Sequence, residues 1–541
     1  MSKMKIYYLV LFMLICSQVS FANNISIANV SLTSKNTSAG TDNAANFRFV
    51  QFDISWENSW RTSSAPNNWD AAWVFMKYRL NGTGDWKHAN FNAGAGQTAP
   101  AGGVIDVPAD GVGAFIYRSA DGSGTFSLNA AQLRWNYGFN NVLDNDVVEI
   151  KLFAIEMVYV PQGSFYLGSG GTETGSFTDG SWVFGNTIPY QITSENAINI
   201  SNTAGNLWGT GTGTSAIGDP STIAVTYPKG FAAFYCMKYE ISQGQFRDFL
   251  NSLNYTQQLS LLPKAPNSPV KTGAFNTAIT ARNALMIKTQ GAANTIPAVY
   301  GCNLNNNSIF DETTDGEGIA CNFLSWMAGV AYMDWSGLRP MTELEFEKAC
   351  RGTQTAVANE YVWGNTTVNS ETNVANLGDI NEIPITSNSN TIYNNTSSLG
   401  GPIRVGAFAN SSSDRTKSGS TFYGIMNMGD NVYESIVTVG NSAGRSFTGL
   451  HGNGSLLING KADVDYWPGI NGNSTITNSN TVSDGVTGIP NSNAAGTGLR
   501  GGNYNNTSTS YLQTSYRMYA AYTIPSGTSA SIGIRGVRSA Q

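Results

Sequence analysis

Histidine is almost missing from this chain. His88 and His451 are the only two in 541 residues, so no site built on three imidazoles can form. Charge is scarce as well: Lys, Arg, Asp and Glu make up 12% of the sequence, against roughly 25% in ordinary soluble proteins. The net charge of −6 leaves no basic stripe to neutralise phosphates, which argues against a nucleic-acid partner. No uninterrupted apolar stretch of about 18 residues exists, so no transmembrane segment is predicted. The sequence also has no Gly-x-Ser-x-Gly elbow, no phosphate loop and no zinc-type cysteine pair, which removes the chemistries those motifs carry.

What remains is a polar surface made of Asn, Ser, Thr and Gly. The 59 glycines suit strands, turns and long loops better than helices. Hydrophobic residues at 41% and aromatics at 11% are enough to fill cores, and a chain this long exceeds one core, so at least two domains are expected.

The first residues set the expected compartment. Lys3 and Lys5 precede the apolar run Ile6–Cys16, and Ser20-Phe21-Ala22 supplies small residues at the recognition positions. This is the pattern of a secretory signal peptide over 1–22, cut after Ala22. It predicts export to the periplasm, the outer cell surface or the medium. Cys16 lies inside the leader, and Met13-Leu-Ile-Cys16 lacks the small residue a lipidated cysteine needs before it. Cys236, Cys302, Cys321 and Cys350 then remain, and an even count in an exported protein favours disulfides. Pairing Cys302 with Cys321 would close a polar insertion and leave Cys236 with Cys350, although sequence does not fix connectivity.

Residues 23–153 read as an all-β sandwich. Ile25–Leu32, Phe47–Ile54 and Ala72–Tyr78 are short apolar runs separated by Gly/Asn/Ser turns. Six tryptophans fall here (Trp56, Trp60, Trp69, Trp73, Trp86 and Trp135). They are read as filling a small core, with a sugar-stacking platform as the alternative. No flexible linker separates Val147–Phe153 from Met157–Pro161, which predicts a fixed orientation of the two halves.

In residues 154–541 short helices are predicted among strands. Ser242 and Gln245 form a capping box ahead of Phe246 and Phe249. A second helix runs from about Asn322 to Trp335, with Phe323, Trp326, Val330 and Met333 on one face. Thr342 and Glu345 cap a third, which continues to Cys350 and stops at Gly352. On that helix Glu343, Glu345 and Glu347 read as capping groups and solvated faces. The polar stretches Gly168–Thr226 and Asn365–Ser398 read as long surface loops.

Taken in order, several segments resemble the formylglycine-generating enzyme, or sulfatase-modifying factor, family. They are Met157–Gly168, Phe234-Tyr-Cys-Met-Lys-Tyr-Glu-Ile-Ser-Gln-Gly-Gln-Phe246, Gly337-Leu-Arg-Pro-Met-Thr-Glu-Leu-Glu-Phe-Glu-Lys-Ala-Cys-Arg-Gly352, Tyr361–Asn365, Asn427–Glu434, Leu499–Gly502 and Ile532-Gly-Ile-Arg535. The resemblance implies an α+β, C-type-lectin-like domain with little regular structure, held by loops and calcium. It also implies an oxidase that binds Cu(I) through two thiolates just after the Arg-Gly-Gly strand, a soft pair for a soft ion. Here Asn506 and Tyr511 stand at those two positions, and neither can ligate Cu(I) as a thiolate. The related sulfoxide synthases need a three-histidine iron site, which two histidines cannot supply.

The resemblance further implies calcium, held by the side chains of Asn427 and Glu434 and the carbonyls of Asp430 and Val432. Asp430 replaces the family's usual glycine, and Tyr433 and Ser435 replace its tryptophans. Asn376 and Leu377 resemble a second calcium segment of the family. A further loop, Asn303–Asp311, carries oxygen side chains at alternate positions but lacks the central glycine and the final glutamate of a calcium loop.

Together these features predict an exported, non-catalytic binding or structural protein, with a role in a cell-surface assembly among its expected uses and a protein or glycan ligand, or itself, as partner. The segment holding Asn503, Tyr504, Asn505, Asn506, Tyr511, Tyr516, Tyr519 and Tyr522 has a paratope-like composition. It also resembles the variable region of proteins diversified by retroelements. The alternative is a formylglycine-generating oxidase acting on a sulfatase cysteine.

Overall fold

Strand β2 (Phe47–Arg61) alternates strictly along its centre. Val50, Phe52, Ile54 and Trp56 point inward and are essentially inaccessible, the period-two pattern of a half-buried strand. The structure is a computed structural model. It describes residues 24–540 except 181–184, 186, 210, 218–219, 397, 411–412, 470–493, 523 and 525–527. The predicted signal peptide and Cys16 lie outside the described residues.

β2 sits between β1 (Ser26–Asn36) and β7 (Gly122–Trp135) in a three-stranded antiparallel sheet. This sheet packs on a second one containing β3 (Asp70–Leu80), β4 (Lys87–His88), β5 (Gly103–Asp106), β6 (Ala114–Arg118) and β8 (Val148–Val160). Between them lie Trp56, Trp135, Phe126, Leu133, Val74, Met76 and Ile116. The tryptophans divide: Trp56, Trp73 and Trp135 are fully buried, as predicted for core residues, whereas Trp60, Trp69 and Trp86 are half-buried.

The second sheet does not end with the N-terminal domain. Its order is Arg339–Pro340, Gly536–Ser539, Phe234–Met237, β8, β3, β6, β5, with β4 also on β3. The boundary placed at 153/154 therefore falls inside β8. That strand pairs with β3 from Asp70↔Val158 to Leu80↔Val148, and with the following domain from Phe234↔Val160 to Met237↔Met157. β3 is consequently buried on both faces. Ala72, Val74 and Met76 face the sandwich, and Trp73 and Phe75 face the core of the larger domain. Trp73 Nε1 donates to the Ser336 carbonyl at 2.7 Å. Between the two parts Lys238 Nζ bridges Glu156 at 2.9 Å and Asp70 at 3.2 Å, all three groups buried.

Beyond β8 most of the described chain is turn and loop, with short strands of two to five residues. Its main helices are α1 (Gln243–Leu250), α2 (Tyr255–Leu261), α3 (Trp326–Ser336) and α4 (Glu343–Arg351). α1 and α4 carry the predicted capping boxes, and α2 has one from Asn254 and Gln257. α3 starts four residues later than predicted, because Phe323 adopts φ 63° and Ser325 caps the helix. It also lacks a single apolar face, since every residue but Met327 is buried. Gly329 is required in it, as a Cβ there would lie 2.8 Å from Ile534. The stretch Gly168–Thr226 is not simply surface loop. It forms short strand pairs and sends Ile192, Ile198, Ile200, Leu207, Ile217 and Ile223 into the main core.

The predicted disulfides are not formed. All four cysteines are free, buried thiols. Cys236 and Cys350 pack in one apolar cluster, and Cys302 and Cys321 in another, where each behaves as a small hydrophobe. Among the described residues no helix is long and apolar enough to cross a membrane.

Candidate functional site: tyrosines on an ionic base

The base is α4. Its acids, predicted to be solvated, are buried: Glu343 and Glu347 are inaccessible and Glu345 is 1% exposed. Glu345 caps the helix as predicted, but Glu343 and Glu347 are held inside by Arg500 and Arg517, more than 150 positions away, which a local helical pattern does not reveal. Arg500 reaches Glu347 at 2.9 Å and Glu343 at 3.5 Å. Arg517 Nε donates to Glu343 at 2.9 Å, Arg339 pairs with Glu345 at 2.6 Å, and Arg351 joins Glu347 to Glu360. The two arginines next to Glu347 hold its carboxyl below the usual range against the upward push of burial. Such groups are tolerated inside only because each is paired and hydrogen-bonded.

Arg500 and Arg517 flank the part of the paratope-like segment from Asn503 to Tyr516 and tie both sides of it to one helix, with Tyr519 and Tyr522 following Arg517. Arg517 also donates to the Gly175 and Ser215 carbonyls, at 2.8 and 3.1 Å. Within this frame the rings gather. Tyr511 lies 5.0 Å from Tyr516, 6.1 Å from Tyr519 and 6.4 Å from Tyr433 between centroids. Tyr519 is 6.0 Å from both Tyr433 and Tyr522. These spacings are those of interacting aromatic pairs. Burial pushes the Tyr433 and Tyr516 phenols up. Tyr511, Tyr516, Tyr519 and Tyr522 are half-buried, and Asn505, Thr507 and Ser508 are exposed beside them. Tyr504 is buried instead, in a separate cluster with Ile403 and Phe408.

Asn506 and Tyr511 both belong to this cluster. Asn506 Nδ2 donates to the Tyr433 hydroxyl at 2.8 Å, and Asn506 Oδ1 accepts from the Asn503 N–H at 2.7 Å. The four cysteines are all buried. Burial raises the Cys236 thiol to about 12 and the other three as well, against thiolate formation. Tyr433 is a member of the site that sequence reading missed. It appeared only as a replaced tryptophan in the Asn427–Glu434 motif, 78 positions before Tyr511.

In the Asn427–Glu434 turn the side chains meet protein partners. Asn427 Oδ1 accepts from Gly406 N–H (2.8 Å) and its Nδ2 donates to Asp430 Oδ1 (3.1 Å). Asp430 Oδ2 accepts from Ile392 N–H (2.8 Å). Glu434 Oε1 accepts from Arg535 Nε (2.6 Å), while Glu434 Oε2 is buried without a partner. Glu240, which sequence reading also missed, accepts from Asn431 Nδ2 (2.7 Å) and Val432 N–H (3.0 Å). These three carboxyls are all buried, and Glu434 is paired with the Arg535 guanidinium. Burial pushes all three up, Asp430 to about 6. Asn376 donates to the Asn381 carbonyl within its own loop, and Leu377 is exposed. Among the described residues no three His, Cys, Asp or Glu side chains are arranged to hold a metal ion.

Fold and site together define a β-rich scaffold with a clamped aromatic segment. The family model described as the sulfatase-modifying factor enzyme 1-like domain matches residues 149–540, and the chain belongs to that family. No curated protein matches it. Of 21 matching chains of solved structure, one is titled Major Tropism Determinant U1 Variant. It is 14% identical, and the match covers 83% of this chain and 99% of that one at a TM-score of 0.21.

Proposed function

We propose that this protein is an exported, non-catalytic member of its family, whose tyrosine cluster binds a protein or glycan ligand at the cell surface. The observation that carries the reading is the fate of positions 506 and 511. One is an amide bonded to Tyr433 and the other a ring among four further tyrosines, where the family's oxidases need two thiolates. Tyrosine and asparagine on a rigid frame give large contact area and adaptable hydrogen bonding at low entropic cost, and the Arg500 and Arg517 clamps supply that frame. Calcium bound in the family manner would use Glu434 Oε2, Asn427 and the Asp430 and Val432 carbonyls. The orphaned Glu434 oxygen favours such an ion, whereas the donors already on Asn427 and Asp430 would have to give way. Self-association into a surface assembly is the other partner this reading admits.

The test uses residues 23–541 with Cu(I), O2 and a sulfatase-type cysteine peptide, followed by mass spectrometry beside an active enzyme. The peptide is expected to keep its thiol, and conversion to the aldehyde would overturn the reading. A glycan array and sedimentation at micromolar concentration then identify the partner. Tyr519→Ala is expected to abolish glycan binding without altering the fold.

A further inference from the structure

The loop from Asn303 to Asp315 plays no part in that reading. It follows the Val299–Cys302 strand and leads towards Cys321. Its polar side chains fold onto one another. Asn303 Nδ2 donates to the Asn307 carbonyl at 3.1 Å. Asn305 Nδ2 and Asn307 Nδ2 both donate to Glu312 Oε2, at 3.4 and 2.5 Å. The Glu312 N–H donates to Asp315 Oδ2 at 3.0 Å. Asp311 is turned away, accepting from Cys302 N–H (2.8 Å), Arg247 (3.1 Å) and Lys288 (2.7 Å).

Two oxygens are left over. Asn303 and Asp315 are each 0% exposed, yet Asn303 Oδ1 and Asp315 Oδ1 have no hydrogen-bond partner. Each side chain is turned into the loop by its other atom, so the unsatisfied oxygens belong to the loop interior. A buried acceptor without a donor costs about 1–3 kcal/mol, more if charged, and two in one turn call for a common partner. Glu312 and Asp315 add two negative charges, and among the described residues neither forms a salt bridge. The two ammonium groups on the loop are engaged elsewhere, Lys271 Nζ on the Asn306 carbonyl at 3.1 Å and Lys288 Nζ on Asp311 at 2.7 Å.

We propose that this loop is a calcium site. Asn303 Oδ1, Asp315 Oδ1 and the Glu312 carboxylate are its ligands, with water completing the shell, while Asn305 Oδ1 and Asn307 Oδ1 accept from the Asn307 N–H (2.9 Å) and the Ile309 N–H (2.6 Å) and hold the shape of the turn. Hard oxygen donors on a pliable turn suit Ca2+, which accepts about six to eight of them in irregular geometry, better than Mg2+, which demands an octahedron. With only two carboxylates the affinity belongs to the extracellular class, on the order of 10⁻⁴–10⁻³ M. The ion would brace the turn between Cys302 and Cys321.

Hydrogen exchange by mass spectrometry on residues 23–541 tests this, comparing calcium chloride, magnesium chloride and EGTA. Calcium is expected to slow exchange across residues 302–316, with a midpoint of order 10⁻⁴–10⁻³ M and little effect of magnesium. Glu312→Gln, at a half-buried position where the amide can still accept from Asn305 and Asn307, and Asp315→Asn should each raise that midpoint about tenfold, equivalent to about 1.4 kcal/mol. Unchanged exchange in 302–316 at about 10 mM calcium, or protection that survives both substitutions, overturns the proposal. Protection confined to 427–434 does so too, and would locate calcium at the family-type position instead.

Discussion

Replacing Lys238 with Met keeps the bulk of the side chain and deletes its charge where the two domains share a sheet. In the native protein the ammonium faces Glu156 at 2.9 Å and Asp70 at 3.2 Å, with side-chain exposures of 4%, 1% and 0%. Asp70 is also held by Trp56 Nε1 (3.0 Å), Ser59 Oγ (2.8 Å) and Trp60 N–H (3.0 Å). Glu156 has no such reserve, since its Oε1 has no partner. Breaking a buried pair from one side costs about 3–5 kcal/mol, because a charge stays behind. Burial already raises the Glu156 carboxyl, and losing Lys238 raises it further. A carboxyl whose folded pKa lies above its unfolded value binds more protons when folded. Stability therefore falls as pH rises between the two values and is recovered as pH drops below the folded one. The loss in Lys238→Met should be near its full size at pH 8 and smaller at pH 5. Adding Glu156→Gln should recover part of it at pH 8. Urea unfolding followed by tryptophan fluorescence and far-ultraviolet circular dichroism measures this. Both probes should move together, because β8 belongs to both halves. A loss under about 1 kcal/mol at pH 8, the size of an exposed pair, would refute the reasoning, as would a loss that grows on acidification.

Other expectations follow from the same contacts. Trp73→Ala should cost about 3–5 kcal/mol, seen as a lowered urea midpoint, because Trp73 is inaccessible and bonded to Ser336. Asp334, raised to about 7 mainly by burial, with Asp463 adding to the effect, should make stability fall as pH rises from about 4 to 7. Asp334→Asn should flatten that slope in a pH series of unfolding curves. A thiol titration of residues 23–541 should find none accessible in the native protein and all four in denaturant; fewer than four would restore a disulfide. Thr342→Ala should cost about 1 kcal/mol through the lost cap on α4, read from the same curves.

Sequence alone revealed whatever is encoded locally. The Ser242 and Thr342 capping boxes, the alternation of β2 and the motif order that marks the family depend on neighbours a few residues away, and they reappear in the structure. Features that depend on distant partners were not legible. Glu343 and Glu347 looked like surface acids until Arg500 and Arg517 met them across more than 150 positions. The start of α3 was misplaced because nothing in an apolar run announces that Phe323 will take a positive φ. Cysteine parity suggested bonds, but the thiols are packed as apolar groups. At the site, composition singled out Tyr511, Tyr516, Tyr519 and Tyr522. It could not show that Tyr504 turns inward or that Tyr433 joins from another strand.

The paired anchoring of Arg500 and Arg517 on one helix has a consequence for how this protein can change. Both ends of the intervening span are fixed by charges that lie beneath it, so the fold does not depend on what its outward positions say. Asn505, Thr507 and Ser508 are exposed, and Tyr511 and Tyr516 are only half-covered, whereas Leu512, Thr514 and Ser515 are buried and hold the register. A library that randomises the first five positions and keeps the last three would retain a folded framework while altering its face. In such a library heritable variation is confined to the contact surface, and a new specificity need not be bought with stability.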